Sequence, residues 1–288
     1  MTKVLVTGAG GMLGSDLVAV LSSSPSFTVT AARRTDLDLT DPGAVRSAIP
    51  GHDLVINTAA WTDVDGAETA EDAATALNGT AVSSLATACA ASGARLIHVS
   101  TDYVLSGSAS APYPESAPPS PVNAYGRSKL VGERFVLSLL PSSGYVVRTA
   151  WLYGEHGSSF PATMLRLAAA RDTLDVVDDQ HGQPTWSLAL ARQLVALASA
   201  PSAPAGIYHG TASGATTWWG FARAVFELNG LDPARVRPTT SAAFVRPAPR
   251  PAYSVLGHDR WASAGLSPMA DWRASLSAAV AAGAVRAR

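Results

Sequence analysis

Residues 123 to 130 read NAYGRSKL and set a phenol, Tyr125, four positions before an ammonium, Lys129. On a helix two side chains so spaced share one face, so the pair offers a proton donor beside a positive charge. Two unit charges about 4 Å apart at an effective dielectric of about 20 interact by about 4 kcal/mol, or about three pKa units. That is enough in principle to draw a phenol towards neutral pH, although desolvation pushes the other way. The lysine is itself unusual: of the 21 Lys plus Arg, 19 are Arg, and only Lys3 and Lys129 are lysine. A compact ammonium on a flexible stem suits tasks that a guanidinium fork does not. An isolated Tyr-x-x-x-Lys is equally compatible with a solvated helix face, so the pair acquires meaning only from its context.

A second group of residues suits a phosphate. VTGAGGMLGSDL spaces Gly8, Gly11 and Gly14 as G-x-x-G-x-x-G directly after an apolar run. Glycines there allow a tight turn and close backbone approach to a pyrophosphate at a helix N-terminus. The next apolar run ends in TAARRTDLDLTD, where NAD-preferring sites carry an acid for the ribose 2′-hydroxyl. Arg33 and Arg34 stand there instead. A guanidinium at this point pairs with a 2′-phosphate, which favours NADPH and leaves NADH possible; the alternative is a solvated strand end.

The elements needed to position these residues follow from the apolar pattern. KVLVT, FTVTAA, DLVINTA, ARLIHVS and YVVRTA read as buried strands. The stretches 11–22, 41–49, 69–91 and 124–139 read as helices, with Pro42 in a first turn. Strands alternating with helices predict an α/β fold, a doubly wound parallel sheet of the Rossmann-like kind. After about residue 152 the pattern loosens, and SLALARQLVALAS is a further amphipathic helix. The expected organisation is a dinucleotide-binding domain over 1–152 with a returning segment near 183–208, and mainly a smaller C-terminal substrate-binding lobe over 153–288. TTWWGFARAVFELNG reads as a helix whose Trp218 and Trp219 belong to the core of that lobe.

The glycine trio, DLDLTD, NTAAWTDVDGAE, STDYV, the Tyr125/Lys129 pair, RTAWLYG, DDQHGQPT and RPAYSVL occur in one order up to about residue 256. Together they resemble the extended short-chain dehydrogenase/reductase superfamily and, more narrowly, the dTDP-4-dehydrorhamnose reductase family. The resemblance implies NADPH-dependent reduction of the C4 keto group of a dTDP-linked 4-keto-6-deoxyhexose. It implies Tyr125 as proton donor, Lys129 as its electrostatic partner and holder of the nicotinamide ribose, and Thr101 as the hydroxyl that orients the carbonyl. Ser100, one residue earlier, points to the opposite face of its strand and is the rival hydroxyl.

The same resemblance puts Gly8, Gly11, Met12, Leu13, Gly14, Arg33, Arg34, Asp38, Leu39, Ala59 and Ala60 at the cofactor. It puts Thr62, Val64, Asp65, Asp102, Tyr103 and Trp151 at the sugar, Trp151 as an aromatic wall. Arg250 would meet the diphosphate, with Arg246 as rival. Asp102 has a structural alternative, capping the turn after its strand. Related dehydratases carry Asp-Glu after the threonine; Asp102-Tyr103 here disfavours water elimination. Two other readings stay open: a related deoxysugar ketoreductase of secondary metabolism, and a non-catalytic NADP-binding regulatory subunit.

Composition narrows the remaining classes. A net charge of −1 argues against a nucleic-acid or membrane-surface partner. No apolar run is long enough for a membrane span or a signal segment, so a cytoplasmic protein is expected, a monomer or homodimer. Cys89 is the only cysteine and lies in an Ala-rich run that suits core packing. The six His show no metal-ligand spacing and there is no G-x-S-x-G elbow, so neither a catalytic metal nor a serine hydrolase is expected.

Overall fold

The computed structural model describes residues 1–287. The first half runs β1 (Thr2–Thr7), α1 (Met12–Ser22), β2 (Phe27–Ala32), α2 (Pro42–Ala48), β3 (Leu54–Asn57), α3 (Val64–Ala67), α4 (Glu71–Thr75), α5 (Ala81–Ser92), β4 (Arg95–Thr101), α6 (Ala124–Leu139) and β5 (Gly144–Thr149). The second half continues with β6 (Leu152–Tyr153), α7 (Phe160–Ala170), β7 (Leu174–Val177), β8 (His181–Gly182), β9 (Thr185–Trp186), α8 (Ser187–Ala198) and β10 (Gly206–His209). Then come β11 (Ala212–Ser213), β12 (Thr216–Thr217), α9 (Trp218–Leu228), β13 (Val236–Thr239), α10 (Arg260–Ser263), β14 (Met269–Asp271) and α11 (Trp272–Ala281).

Six strands pair in parallel in the order β10-β5-β4-β3-β1-β2. Val4 and Val6 face α1 and α8, while Leu5 between them faces α2 and α5, as the two-residue strand period requires. The strand order reverses between β1 and β3. In such sheets a ligand crevice opens at the carboxyl ends of the strands flanking that point, and the glycine turn lies there. α8 returns to this body, packing Leu190, Leu194 and Leu197 with Leu13 and Leu17 of α1, and β10 extends the sheet beyond β5. A separate cluster joins α7, β7, α9, β13 and α11, with β13 parallel to β7.

The helix expected over 69–91 is interrupted. α4 and α5 are joined by one turn of π-helix, Ala76–Thr80. Within it the Asn78 side chain accepts from Trp61 N–H and donates to Trp61 O and Ser128 Oγ, tying the loop after β3 to α6. Alanine periodicity carries no mark of one extra residue in a turn. Cys89 is fully buried in the cluster beneath α5, and burial pushes its thiol up to about 12. Among the described residues no helix is long and apolar enough to cross a membrane, and no group of three or more His, Cys, Asp or Glu could hold a metal ion.

Candidate active site

The glycine turn is built for close approach. Gly8 has φ +72°, and a Cβ there would lie 2.5 Å from Ala59 N; a Cβ on Gly14 would collide with Gly8 O. α1 begins at Gly11 with no side-chain cap and no acid in its first turn, so its leading N–H groups face the crevice free for an anion. This uncapped cradle fits the pyrophosphate of a dinucleotide. Leu13 turns its side chain into the core, leaving its backbone towards the turn, whereas Met12 is half-buried and reaches Gly154 of the second half. Arg33 and Arg34 are exposed at the end of β2, and the Arg33 stem lies over Gly10. Among the described residues neither arginine has an ion-pair partner, which leaves both free for a phosphate. Asp38 is occupied otherwise, accepting from Thr40 N–H and its hydroxyl, and Leu39 is core. Ala59 and Ala60 are half-buried at the end of β3, opposite Gly8, while Thr62 is exposed and Val64 half-buried.

Thr101 ends β4, and its hydroxyl accepts from Tyr103 N–H and donates to Asp102 Oδ1 at 3.0 Å. Thr101, rather than Asp102, therefore caps the turn. Asp102 is buried, and burial raises its carboxyl to about 6, with the Ser254 and Thr101 hydroxyls acting the other way. Asn123 caps α6 by accepting from Gly126 N–H and also donates to Pro249 O, which anchors the helix start to the returning C-terminal segment. A Cβ on Gly126 would run into Tyr103 O, so the glycine lets α6 lie directly on that turn. Tyr125 consequently stands beside Thr101, its ring edge-on to Tyr103 with centroids 6.0 Å apart.

The electrostatic expectation for the pair is corrected. Tyr125 is pushed up to about 12, first by burial and then by the Asp102 charge, with the Thr101 hydroxyl acting the other way. Lys129 is not among the groups that shift it, so burial and Asp102 leave the phenol with its proton at neutral pH. Lys129 is itself 1% exposed, donates to Val99 O at 2.7 Å and lies 3.4 Å from His98 Nε2. Burial draws its ammonium down to about 8 while Glu133, one turn further along α6, opposes that.

The rivalry between Ser100 and Thr101 has a geometric answer. Ser100 Oγ donates to Glu133 Oε1 at 2.6 Å beneath α6, and Arg148 of β5 grips the same carboxylate through Nε at 2.9 Å and Nη2 at 2.8 Å. Glu133 and Arg148 are each 1% exposed, so Ser100 belongs to a closed structural network.

Above the strand ends, Asp65 accepts from Arg250 at 3.0 Å and from Ala248 N–H at 3.2 Å, with Arg246 3.5 Å away. Arg250 also lies over the Tyr103 ring, 6.0 Å from its centroid. A cavity of about 590 Å³ opens beside them, lined by Phe160, Val176, Gln180 and Trp218 as well as Tyr103 and both arginines. Trp151 has φ +46°, a left-handed backbone that a bulky residue rarely adopts, and stacks on Trp218 with centroids 3.6 Å apart. A Cβ on Gly182 would strike the Trp151 indole, so that glycine makes its seat. Trp218, read from sequence as part of the core, packs against it and also lines the cavity. Asn57, Asn78, His98 and Glu133 also escaped sequence reading, because buried polar residues in apolar runs carry no periodic signal; only the Asn-Gly step at Asn78 departs from its surroundings.

A doubly wound sheet with an uncapped glycine turn at its switch point, and a tyrosine and lysine one turn apart beside a strand-end threonine, defines an extended short-chain dehydrogenase/reductase. Comparison with known proteins narrows this: the chain belongs to the family described as RmlD substrate binding domain, matched over residues 1–285. It is 54% identical to a dTDP-4-dehydrorhamnose reductase of Streptomyces griseus over 95% of this chain and 91% of that one. It is 50% identical to a dTDP-4-keto-6-deoxy-D-glucose reductase of Streptomyces niveus, covering 96% and 95%. Among solved structures, dTDP-4-dehydrorhamnose reductase from Bacillus anthracis in complex with NADP superposes with a TM-score of 0.93 at 33% identity, covering 98% of this chain and all of that one.

Proposed function

We propose that this protein is an NADPH-dependent oxidoreductase that reduces the C4 keto group of a dTDP-linked 4-keto-6-deoxyhexose, converting dTDP-4-dehydro-L-rhamnose to dTDP-L-rhamnose. The observation that carries this reading is the Tyr125 phenol beside the Thr101 hydroxyl, at the strand ends next to an uncapped glycine turn. When bound, the reduced nicotinamide supplies the hydride. Gly8, Gly11 and Gly14 with the start of α1 would hold its pyrophosphate, and Arg33 or Arg34 its 2′-phosphate. Thr101 turns its one hydroxyl hydrogen from Asp102 Oδ1 to the sugar carbonyl and orients it. Tyr125 gives its proton to that oxygen as it becomes an alkoxide, and the Lys129 ammonium one turn away favours the phenolate left behind. Arg246 and Arg250 suit the diphosphate, and the aromatic cavity the base. In this division of labour residues 1–152 with 183–208 hold the cofactor and most of 153–288 the sugar nucleotide. The pools of such cofactors and sugars favour a cytoplasmic setting.

The test is NADPH absorbance on mixing protein with dTDP-4-dehydro-L-rhamnose. Turnover is expected, and Tyr125→Phe should lose it by roughly 10²-fold or more while binding NADPH normally. Undiminished oxidation in that variant rejects the assignment. The 50% identity to a D-gluco ketoreductase favours one second reading, a different 4-keto sugar, which a panel of dTDP-4-keto sugars separates. Tight NADPH binding with no oxidation by any of them would point to a regulatory subunit.

A further inference from the structure

A buried polar row under α6 reaches Lys129 from below and takes no part in the proton transfer just described. Thr7, Asn57 and His98 occupy paired positions on β1, β3 and β4, so their side chains leave the same face of the sheet side by side. All three are at most 1% exposed. Ala59 N–H donates to Asn57 Oδ1 at 3.1 Å, and the Thr7 hydroxyl donates to the same oxygen at 2.7 Å. A backbone N–H is a donor only, which fixes this atom as the amide oxygen and its neighbour Nδ2 as the donor. Nδ2 lies 3.0 Å from His98 Nδ1. Nδ1 must therefore accept, and a neutral imidazole that accepts at Nδ1 carries its hydrogen on Nε2. Nε2 is the atom 3.4 Å from Lys129 Nζ. A second proton on the ring would set Nδ1–H against the Asn57 amide N–H; burial and the Lys129 charge oppose it as well.

Lys129 Nζ thus meets a carbonyl, Val99 O, on one side and an N–H on the other. The carbonyl accepts one amine hydrogen in either charge state, whereas the N–H is repelled by an ammonium and donates to the lone pair of an amine. The other titratable groups around Nζ come from three elements. On α6 itself stand Tyr125 and Glu133; Glu133 alone favours the ammonium, and its carboxylate is shared with Arg148 of β5. Asp102 follows the end of β4 and faces Tyr125.

We propose that His98, locked as its Nε2–H tautomer by Asn57, is a positioning residue that presents an N–H to Lys129 and holds that lysine poised between ammonium and amine. The inference deepens the reductase reading and rests on it for its purpose: an ammonium that gives up its proton readily can return one to the Tyr125 phenolate after turnover. In that step an N–H bond of Lys129 breaks, the phenol O–H forms, His98 stabilises the amine, and water restores its proton.

The chain's two lysines make the measurement direct. Protein with lysine labelled at Cε and Nζ yields two side-chain signals, and Lys3→Arg leaves that of Lys129 alone. Lys129 is expected to titrate near 8, and long-range nitrogen spectra to show His98 neutral with its hydrogen on Nε2 throughout the neutral range. Asn57→Asp replaces the donor with an acceptor and moves the ring hydrogen to Nδ1; Asn57→Leu removes the lock without adding charge. Both should raise the Lys129 midpoint, by roughly one pH unit for one hydrogen bond reversed, and carry the alkaline limb of kcat upward with it. A wild-type His98 that is charged or holds its hydrogen on Nδ1 overturns the proposal, as does an unmoved Lys129 midpoint in folded Asn57→Leu. The titrations need no turnover. Wild-type protein that titrates as described yet oxidises no NADPH therefore defeats the reductase reading while leaving the tautomer lock standing.

Discussion

Asp65 Oδ1 lies 3.0 Å from Arg250 Nη2, so a carboxylate from the loop after β3 holds a guanidinium of the C-terminal segment. Arg246, exposed and 3.5 Å away, leans on the same carboxylate. Both arginines therefore arrive at the cavity partly neutralised, and an incoming diphosphate competes with Asp65 for them. Asp65→Asn keeps an acceptor for Arg250 and Ala248 N–H but removes the charge. Calorimetry with dTDP should show tighter binding, by roughly fivefold for about 1 kcal/mol at a part-exposed pair, and a larger loss of affinity when salt is raised, because the attraction left to be screened is greater.

The seat of Trp151 gives a second expectation. Gly182→Ala pushes a methyl group into the indole, and Trp218→Ala removes its stacking partner. Each should raise KM for the keto sugar by roughly tenfold, the worth of one aromatic contact, while NADPH binding measured by fluorescence stays unchanged. Equal damage to both ligands would mean that the indole pair supports the fold rather than the sugar.

Cofactor choice can be tested at the end of β2. Neither Arg33 nor Arg34 has an ion-pair partner among the described residues. Arg33→Ala combined with Arg34→Ala should raise KM for NADPH by about 1.5 to 3 kcal/mol, or roughly 10- to 100-fold, through lost charge-assisted bonds. KM for NADH should hardly move, and parallel loss for both cofactors would contradict a 2′-phosphate role.

Asp102 links the site to stability. Its folded-state pKa is raised to about 6 by burial, so the native protein binds that proton more tightly than the unfolded chain. This contribution is fully present below the ordinary carboxylate pKa and is lost as pH rises through about 6. Asp102→Asn has nothing to lose there. Urea unfolding of both proteins across that window should show the variant gaining on wild type by up to about 3 kcal/mol as pH rises to neutrality. A constant difference at all pH values would show that Asp102 ionises freely.

The strands were legible because burial on both faces writes continuous apolar runs, and α6 begins where it was read, capped by Asn123 at the head of NAYGRSKL. The glycine turn was legible for a steric reason, since Gly8 and Gly14 stand where no Cβ fits. What escaped sequence reading depends on contacts distant along the chain. Nothing local to Tyr125 reveals that burial and the Asp102 charge set its phenol, and nothing in LIHVS says that His98 meets Asn57. Trp218 looks like any helix-start aromatic until Trp151, far back in the chain, is laid against it.

The Glu133–Arg148 pair has a bearing on α6 as a whole. Both ends are enclosed, so separating them would leave two charges without water or partner, at a cost of about 3 to 5 kcal/mol. Sliding the helix by even one residue, about 1.5 Å along its axis, would do that. The pair therefore acts as a registry pin set two turns below Tyr125. Loops at the rim can change to suit another sugar while the acid stays at the same height above the sheet.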